Sequence, residues 1–342
     1  MSPDVPKTSM KGRRALQAAG SLVAGALLLG LVLSQIDRAQ LASSLARVRG
    51  DWLVVAVAAH AVASLLRGAY LGILAGKPRH VVALAATSAA SHLAGLALPG
   101  PSADVSLAAL VQRATGIPAT HSVKVAGAVR VLEPTVRSAL ACIVALTVPR
   151  IAWVRYSISG VALVSLLLGI GVILRPDLLV AALRIAAWPF SRLARSSRKL
   201  AGFGGVIDRL LTLRDPAFLR RIAAHFVPLA LARWVALVLG SFAIYRSVGA
   251  PLNPFQAAYV TLVSGYVMAL PVRPPADLGT ADVTHVALLL SLNLDQQAAA
   301  TIVISTRCIT LPLIALLGLA GFIILVFLQP PARDASPAAP EA

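Results

Sequence analysis

The chain has 342 residues, of which 58% are hydrophobic and only 13% are charged, and its mean hydropathy is +0.82. Soluble domains carry about 25% charged and about 45–50% apolar residues, so this composition excludes a soluble enzyme, a disordered chain and a soluble nucleic-acid-binding domain. The 31 Lys and Arg residues against 13 Asp and Glu residues give a net charge of +18, and in a membrane protein such an excess is typical of cytoplasmic loops and of contact with anionic lipid.

Long apolar runs predict an all-α protein, a polytopic membrane helical bundle of about eight spans. The first run follows the basic residues 1–14, and its length of about 20 residues exceeds the roughly 7–15 residues usual for the apolar core of a signal peptide. We therefore expect an uncleaved span with a cytoplasmic N-terminus. The predicted spans cover about 15–36, 52–75, 81–98, 120–148, 152–174, 225–247, 255–270 and 298–328.

The segments between the spans complete a single membrane domain over 15–328. Residues 37–51 alternate charged and aliphatic side chains, which predicts a short interfacial helix. Residues 175–224 contain ten Lys or Arg residues, and two interpretations stay open for them: an amphipathic helix on an anionic membrane surface, or a solvated basic loop. The Pro- and Ala-rich tail, 329–342, is predicted to be disordered.

Proline interrupts the chain at the end of the third span. The stretch Leu98-Pro99-Gly100-Pro101 ends that span, and Asp104 opens a short predicted helix of about 104–114. The long span that follows carries Arg130. Non-helical backbone at membrane depth is tolerated only where it is buried in protein or lines a wet cavity.

A second interruption repeats this order of features. Pro271 is followed by Asp277, by a short predicted helix of about 280–292 and by a last span that carries Arg307. We interpret the two units as an internal repeat. The repeat units cover about 81–148 and 255–328. Paired broken helices in the two halves of a chain indicate the substrate site of a transporter.

Charged residues inside the spans form the candidate site, because intramembrane charges are costly and are usually paired or functional. The candidate substrate-binding or ion-pair residues, together with the two break prolines, are Arg67, Pro99, Asp104, Arg130, Glu133, Arg137, Pro271, Asp277, Asp282 and Arg307. Ion pairs that only hold the bundle together are the alternative. His92 and His285 are expected to be packed polar residues, with a proton relay as the other interpretation. Cys142 and Cys308 lie in apolar runs and predict neither a disulfide framework nor a metal site, and we expect no cofactor.

The pattern after the first break resembles a known family. A proline-broken turn, an acidic residue, a short helix, Gly116-Ile117-Pro118 and a long helix with Arg and Glu are similar to the flippase-like membrane family that includes the transmembrane region of lysylphosphatidylglycerol synthase. That family reads Leu-Pro-x-x-x-Gly-Glu at the break, where this chain has Ala103 and Asp104. The family's Glu-Arg pair appears here as Glu133-Pro134, with the basic charge displaced to Arg130 or Arg137.

The second break carries the same resemblance. The family has Gly-Gly-x-Gly-x-x-Glu there, and Gly279 and Asp282 match it in kind, so the resemblance adds Gly279 to the candidate residues. Residues 52–328 fit the family's layout of about eight spans.

The resemblance implies a role in moving or handling lipid-linked molecules at the bacterial inner membrane. In the family, the aminoacyl-transferase chemistry resides in a separate soluble domain, so we expect no synthase or other enzyme activity from this chain. The implied partners are an anionic membrane lipid or a lipid-linked substrate, with envelope-biosynthesis enzymes as further candidates. Nucleic acid is not expected as a partner, and the sequence does not predict an oligomeric state.

Three functions stay open at this point. A lipid or head-group translocase would neutralise phosphate with its intramembrane arginines and would use its aspartates to orient them or to bind protons. A non-transporting accessory protein would recruit envelope enzymes or lipid through the basic stretch 175–224. An intramembrane lipid-modifying enzyme is the third, although the sequence shows no His-Glu-x-x-His zinc spacing.

The sidedness of the basic stretch 175–224 also stays open. Eight spans that start from a cytoplasmic N-terminus place this stretch outside, against the positive-inside rule. One extra crossing before it would place it inside, and the two repeat units would then be inverted relative to each other.

Overall fold

The computed structural model describes residues 26–34, 36, 38–97, 102–149, 151–174, 216–267, 277 and 279–328. These residues form helices and connecting turns, with no strand among them, which confirms the predicted all-α fold. The α-helices are α1 (Arg38–Ala46), α2 (Gly50–Leu74), α3 (Val81–Ala97), α4 (Ser102–Thr115), α5 (Ala119–Thr147), α6 (Ala152–Leu174), α7 (Pro216–Ser247), α8 (Pro254–Val267), α9 (Thr280–Leu290) and α10 (Gln296–Phe327). Residues 26–33 are also helical, and Pro78–His80 form one 3₁₀ turn.

Four helices of this described part are long and apolar enough to cross a membrane. They are Gly50–Leu74, Ala152–Gly171, Ala224–Ser247 and Gln296–Phe327. Helix α5 has 29 residues, a length of about 43 Å at about 1.5 Å per residue, but it is more highly charged than these four. The chain is therefore a multi-pass membrane protein, and the total of eight spans stays a prediction.

The predicted and observed helix ends agree closely where an apolar run decides them. The spans predicted at 52–75, 81–98 and 152–174 begin and end within two residues of α2, α3 and α6. The largest difference is at α7, which begins at Pro216 and not near 225. A proline is tolerated in the first turn of a helix because the N–H group that it lacks would have no partner there. Helix α7 can therefore begin at Pro216, before its apolar part starts.

Glycine lets α2 and α10 approach α3 with their backbones in contact. A Cβ atom at Gly68 of α2 would lie 2.3 Å from the carbonyl oxygen of Val81. A Cβ atom at Gly321 of α10 would lie 2.6 Å from the carbonyl oxygen of Ala86. Small residues at such contacts are typical of helix packing in membranes, where close van der Waals contact replaces the hydrophobic effect.

A turn residue with a positive φ precedes the longest described helix in each of the two predicted repeat units. Gly116, with a φ of +69°, separates the 14-residue α4 from α5. Asn293, with a φ of +67°, separates the 11-residue α9 from the 32-residue α10. The order of a short helix, a left-handed turn and a long helix thus occurs twice, while a common origin of the two units stays a prediction.

The outer surface of the bundle is apolar, as expected for contact with lipid. On α6, for example, Leu163, Leu167 and Leu168 are exposed. The interior contains aromatic and aliphatic side chains such as Tyr70, Phe226 and Tyr259, which are completely buried. Polar side chains collect between α2, α3, α5, α7 and α8, where they surround the cavity described next.

Candidate functional site

Glu133 of α5 is the centre of a buried ion cluster. Its Oε1 atom lies 3.0 Å from Nε of Arg67 on α2, and its Oε2 atom lies 3.4 Å from Nη1 of Arg233 on α7. The hydroxyl group of Tyr70, one helical turn after Arg67, donates to Oε1 as well. The side chains of the three ionised residues are between 6% and 15% exposed. One carboxylate therefore joins three helices inside the bundle.

Arg67 also contacts α3 through its outer nitrogen. Nη1 donates a hydrogen bond of 3.2 Å to Oγ of Ser88, and it lies 2.9 Å from Nε2 of His92. A guanidinium group has only donors, so Nε2 of His92 accepts this hydrogen bond and the imidazole is neutral in this arrangement. The guanidinium group of Arg67 is thus held by one carboxylate, one hydroxyl group and one imidazole.

Arg137 lies one helical turn after Glu133 and is held in a different way. Its guanidinium carbon is 4.7 Å from the ring centre of Tyr266 and 5.9 Å from that of Trp234, which is cation–π geometry. The Tyr266 hydroxyl group donates to Oγ of Ser138 over 2.9 Å, which fixes the ring. Arg137 is buried, and among the described residues it has no carboxylate partner and its Nε atom has no hydrogen-bond partner.

Gly265 makes room for the guanidinium group of Arg137. A Cβ atom at this position would lie 2.2 Å from Nη1 and 2.9 Å from the guanidinium carbon. Any larger residue at 265 would therefore displace the arginine from the ring of Tyr266.

A cavity of about 560 Å³ lies beside these groups, and we call it the central chamber. Its charged lining residues within the described ranges are Arg67, Arg130, Glu133, Arg137 and Arg233. Four arginines against one glutamate give a formal charge of +3 with histidines neutral. Hydroxyl groups and imidazoles complete the polar lining, from residues such as Ser264, Thr306, His92 and His285. The arrangement is a cationic pocket with many hydrogen-bonding groups, which is the chemistry that binds phosphate or carboxylate.

A second ion pair joins the two C-terminal helices. Oδ1 of Asp282 lies 2.6 Å from Nη1 of Arg307, and Oδ2 accepts a hydrogen bond of 2.9 Å from the backbone N–H of Gly279. Asp282 is completely buried. Gly279 has a φ of +76°, so the glycine permits the turn that places its N–H toward the aspartate. Asp282 thus caps α9, and the pair connects α9 to α10; neither residue of the pair lines the chamber, although His285 and Thr306 of the same two helices do.

The structure brings together four of the eleven residues that the sequence singled out. Arg67, Glu133 and Arg137 meet at the chamber, where Arg130 is also exposed. Among the predicted residues, Arg67 forms an ion pair with Glu133, and Arg307 forms one with Asp282.

The remaining predicted residues lie apart from the chamber or outside the described part of the chain. Asp277 precedes α9 with a φ of +51° and is half-buried. Asp104 falls in the first turn of α4, and its side chain lies outside the described part. Pro99 and Pro271 lie outside the described residues, as do 1–25, 175–215 and 329–342, so the predictions made for them stay predictions.

Sequence reasoning missed three important residues of this site. Arg233 lies within the apolar run 224–247, where the argument used for Arg67 would have found it. Tyr70 and Tyr266 gave no signal, because an aromatic residue in an apolar helix has the same pattern whether it packs or binds a charge. His92 and His285 both line the chamber, and their role as a proton relay stays a prediction.

Comparison with known proteins assigns the family. Residues 17–318 match the family model described as the lysylphosphatidylglycerol synthase TM region. The match spans most of the chain, so the protein belongs to this family, and the predicted resemblance is confirmed. The family associates the chain with membrane proteins of lipid or envelope biosynthesis. No curated protein and no solved structure matches the chain.

Proposed function

We propose that this protein binds the anionic head group of a membrane lipid or lipid-linked molecule in the central chamber and translocates it across the bacterial inner membrane. It does so without synthase activity. The observation that carries the proposal is the surplus of positive charge at the chamber, where Arg67 and Arg233 share the carboxylate of Glu133 and Arg137 lies against an aromatic ring.

The depth of the ion cluster supports a role inside the membrane. Glu133 is 14 residues from the first residue of α5, a distance of about 21 Å along the helix. Arg67 is seven residues from the end of α2, which is about 10 Å. Charged side chains at such depth are expensive and are retained mainly where they serve a substrate path or pair with each other.

The charge balance supports an anionic substrate. Glu133 compensates only one of the two arginines that it contacts, and Arg137 has aromatic rings as its neighbours in place of a carboxylate. Burying guanidinium groups without compensation costs several kcal/mol per ion, at the order of magnitude usual for proteins. A phosphate group in the chamber would supply the missing negative charge through charge-assisted hydrogen bonds.

A reconstitution experiment tests translocation directly. The full chain is placed in proteoliposomes that contain a fluorescent phosphatidylglycerol, and exchange between leaflets is followed by quenching of the outer label. We expect the protein to accelerate the exchange, and we expect the double variant Arg67→Gln/Glu133→Gln to lose most of the acceleration because the chamber wall loses its central ion pair.

The matched control removes an ion pair far from the chamber. Arg49 and Asp51 form an exposed pair, with 57% and 60% of their side chains accessible, so the double variant Arg49→Gln/Asp51→Asn should exchange lipid like the unchanged protein. The proposal of translocation fails if the folded protein without substitutions does not change the distribution of phosphatidylglycerol or of the other major lipid classes between the leaflets. An accessory role in envelope biosynthesis would then account better for the family membership.

A further inference from the structure

Arginines of the protein already contact the carboxylate and the aromatic rings described at the central chamber, and these contacts bear on which head groups the chamber can bind. We propose that it accepts phosphate-bearing lipid head groups that lack an ammonium group, and that Arg137 is the residue that binds the phosphate. This inference deepens the proposed function and rests on it.

The first step concerns Arg137. Its side chain is buried, lines the chamber, and has no carboxylate partner and no hydrogen bond at Nε among the described residues. The ring centres of Tyr266 and Trp234 lie 4.7 Å and 5.9 Å from the guanidinium carbon. Aromatic rings attract the cation but leave its N–H donors unsatisfied, so these donors are available to a phosphate oxygen.

The second step concerns the carboxylates. An ammonium group would need an acidic partner, and the one described carboxylate at the chamber is Glu133. Its Oε1 atom already serves Arg67 and Tyr70, and its Oε2 atom faces Arg233. Asp282 is fully buried, does not line the chamber and has both oxygens in use. The described lining therefore contains no carboxylate left open for a ligand cation.

The third step concerns the aromatic rings, which are the other groups that bind ammonium ions. Tyr266 lies 4.7 Å from the guanidinium carbon of Arg137. Trp234 lies within 5.9 Å of the guanidinium carbon of Arg137 and 5.3 Å of that of Arg233. Arginines of the protein already occupy these two rings. Tyr245 also lines the chamber, but an ammonium head group there would still meet the like charges of the arginines, which disfavours its binding.

The size of the chamber fits a head group. Its volume of about 560 Å³ lies inside the range of about 300–1,000 Å³ that is usual for small-molecule sites. Hydroxyl groups of Thr261, Ser264 and Thr310 also line it. Those of Ser264 and Thr310 donate to backbone carbonyl groups of their own helices and keep lone pairs that can accept hydrogen bonds from an uncharged polyol group. The polyol of a glycerophosphate head group matches this lining better than an amine.

Lipid binding to the full chain tests the selectivity. The purified protein is placed in phosphatidylcholine nanodiscs that contain phosphatidylglycerol, phosphatidylethanolamine or lysylphosphatidylglycerol, and the retained lipid is measured by native mass spectrometry. We expect phosphatidylglycerol to be retained at least about tenfold more than either ammonium-bearing lipid, which corresponds to about 1.4 kcal/mol. Equal or stronger retention of lysylphosphatidylglycerol would overturn the inference.

Substitutions at Arg137 test the assignment of the phosphate-binding residue. Arg137→Gln should reduce phosphatidylglycerol retention by about tenfold or more, as expected for the loss of a charged hydrogen bond, and Arg137→Lys should restore part of it. The control Arg113→Gln removes the same charge from an exposed position of α4 outside the chamber and should have no effect. Retention by folded Arg137→Gln protein that equals that of the control would refute the role of Arg137.

Two further measurements distinguish this inference from recognition of free phosphate and from a failure of the proposed function. Inorganic phosphate, added at the same concentration as the lipid, should not displace phosphatidylglycerol; if it does, the site recognises free phosphate and the lipid assignment is wrong. The leaflet exchange assay reports on the proposed function by itself. Exchange of all lipid classes at one rate would leave translocation intact and refute the selectivity, whereas lipid retention without any exchange would refute translocation only.

Discussion

Arg67 and Glu133 form an ion pair of 3.0 Å in the interior of the bundle, and it joins α2 to α5. A second arginine, Arg233, shares the same carboxylate from α7. The energetics of the site therefore depend strongly on one acidic group, because its removal leaves two cations in a medium of low dielectric constant.

Replacement of Glu133 by Gln should destabilise the protein strongly. Breaking a buried ion pair by removing one partner costs about 3–5 kcal/mol, and the amide cannot compensate either arginine. Thermal unfolding in detergent measures the effect. Asp51→Asn is the matched control, because it breaks an exposed pair that is worth about 1 kcal/mol or less. Equal losses of Tm in the two variants would contradict the central role of Glu133.

The pair of Asp282 and Arg307 should show strong coupling in a double-mutant cycle. Asp282→Asn and Arg307→Gln each remove one partner of this pair and leave the charge of the other, whereas the double variant removes both charges. We expect the double variant to lose less free energy of unfolding than the sum of the single variants, by about 1–3 kcal/mol. Additive losses would show that the contact of 2.6 Å contributes no net pairing energy.

Gly265→Ala should impair lipid handling more than stability. The added methyl group would lie 2.2 Å from Nη1 of Arg137, so the guanidinium group has to leave its position over Tyr266 while keeping its charge. We expect a clear decrease in phosphatidylglycerol exchange with a smaller change in Tm. Gly171→Ala is the control, since nothing lies within 4 Å of that position. An exchange rate equal to that of the control would show that the position of Arg137 is unimportant.

Gly68→Ala should instead weaken the packing of the bundle. Its Cβ atom would lie 2.3 Å from the carbonyl oxygen of Val81 and 2.6 Å from the backbone nitrogen of Ala85, and backbone atoms cannot move away cheaply. Overpacking of this kind costs about 1–3 kcal/mol. Gly160→Ala in α6 meets nothing within 4 Å and should stabilise the helix by up to about 1 kcal/mol. Unfolding temperatures that shift in the same direction in both variants would argue against the close approach of α2 and α3.

The sequence predicted the class of the fold and part of the site for clear physical reasons. An apolar run long enough to cross a bilayer has few alternatives to a helix, so α2, α3 and α6 begin and end close to where the runs do. A charge inside such a run needs a partner or a function, which singled out Arg67, Glu133 and Asp282, and each of them forms an ion pair in the structure. These inferences depend only on the local sequence and on the solvent around it.

The rest of the site depends on which helices are neighbours. Arg233 shares a carboxylate with Arg67 although 166 positions separate them in the chain, and no local pattern encodes this meeting. Tyr266 binds Arg137 through its ring, while in the sequence it is only one apolar residue among many. The partner of each arginine could be found only after the packing of α2, α5, α7 and α8 was known.

The glycine contact between α10 and α3 limits how the bundle can move. These helices come from the two predicted repeat units, and Gly321 meets α3 about 16 Å along α10 from the chamber residue Thr310. Backbones that touch at this point cannot slide past each other without a steric clash. If the two halves of the protein rock against each other during the proposed translocation, we expect this close contact to act as the pivot of that motion.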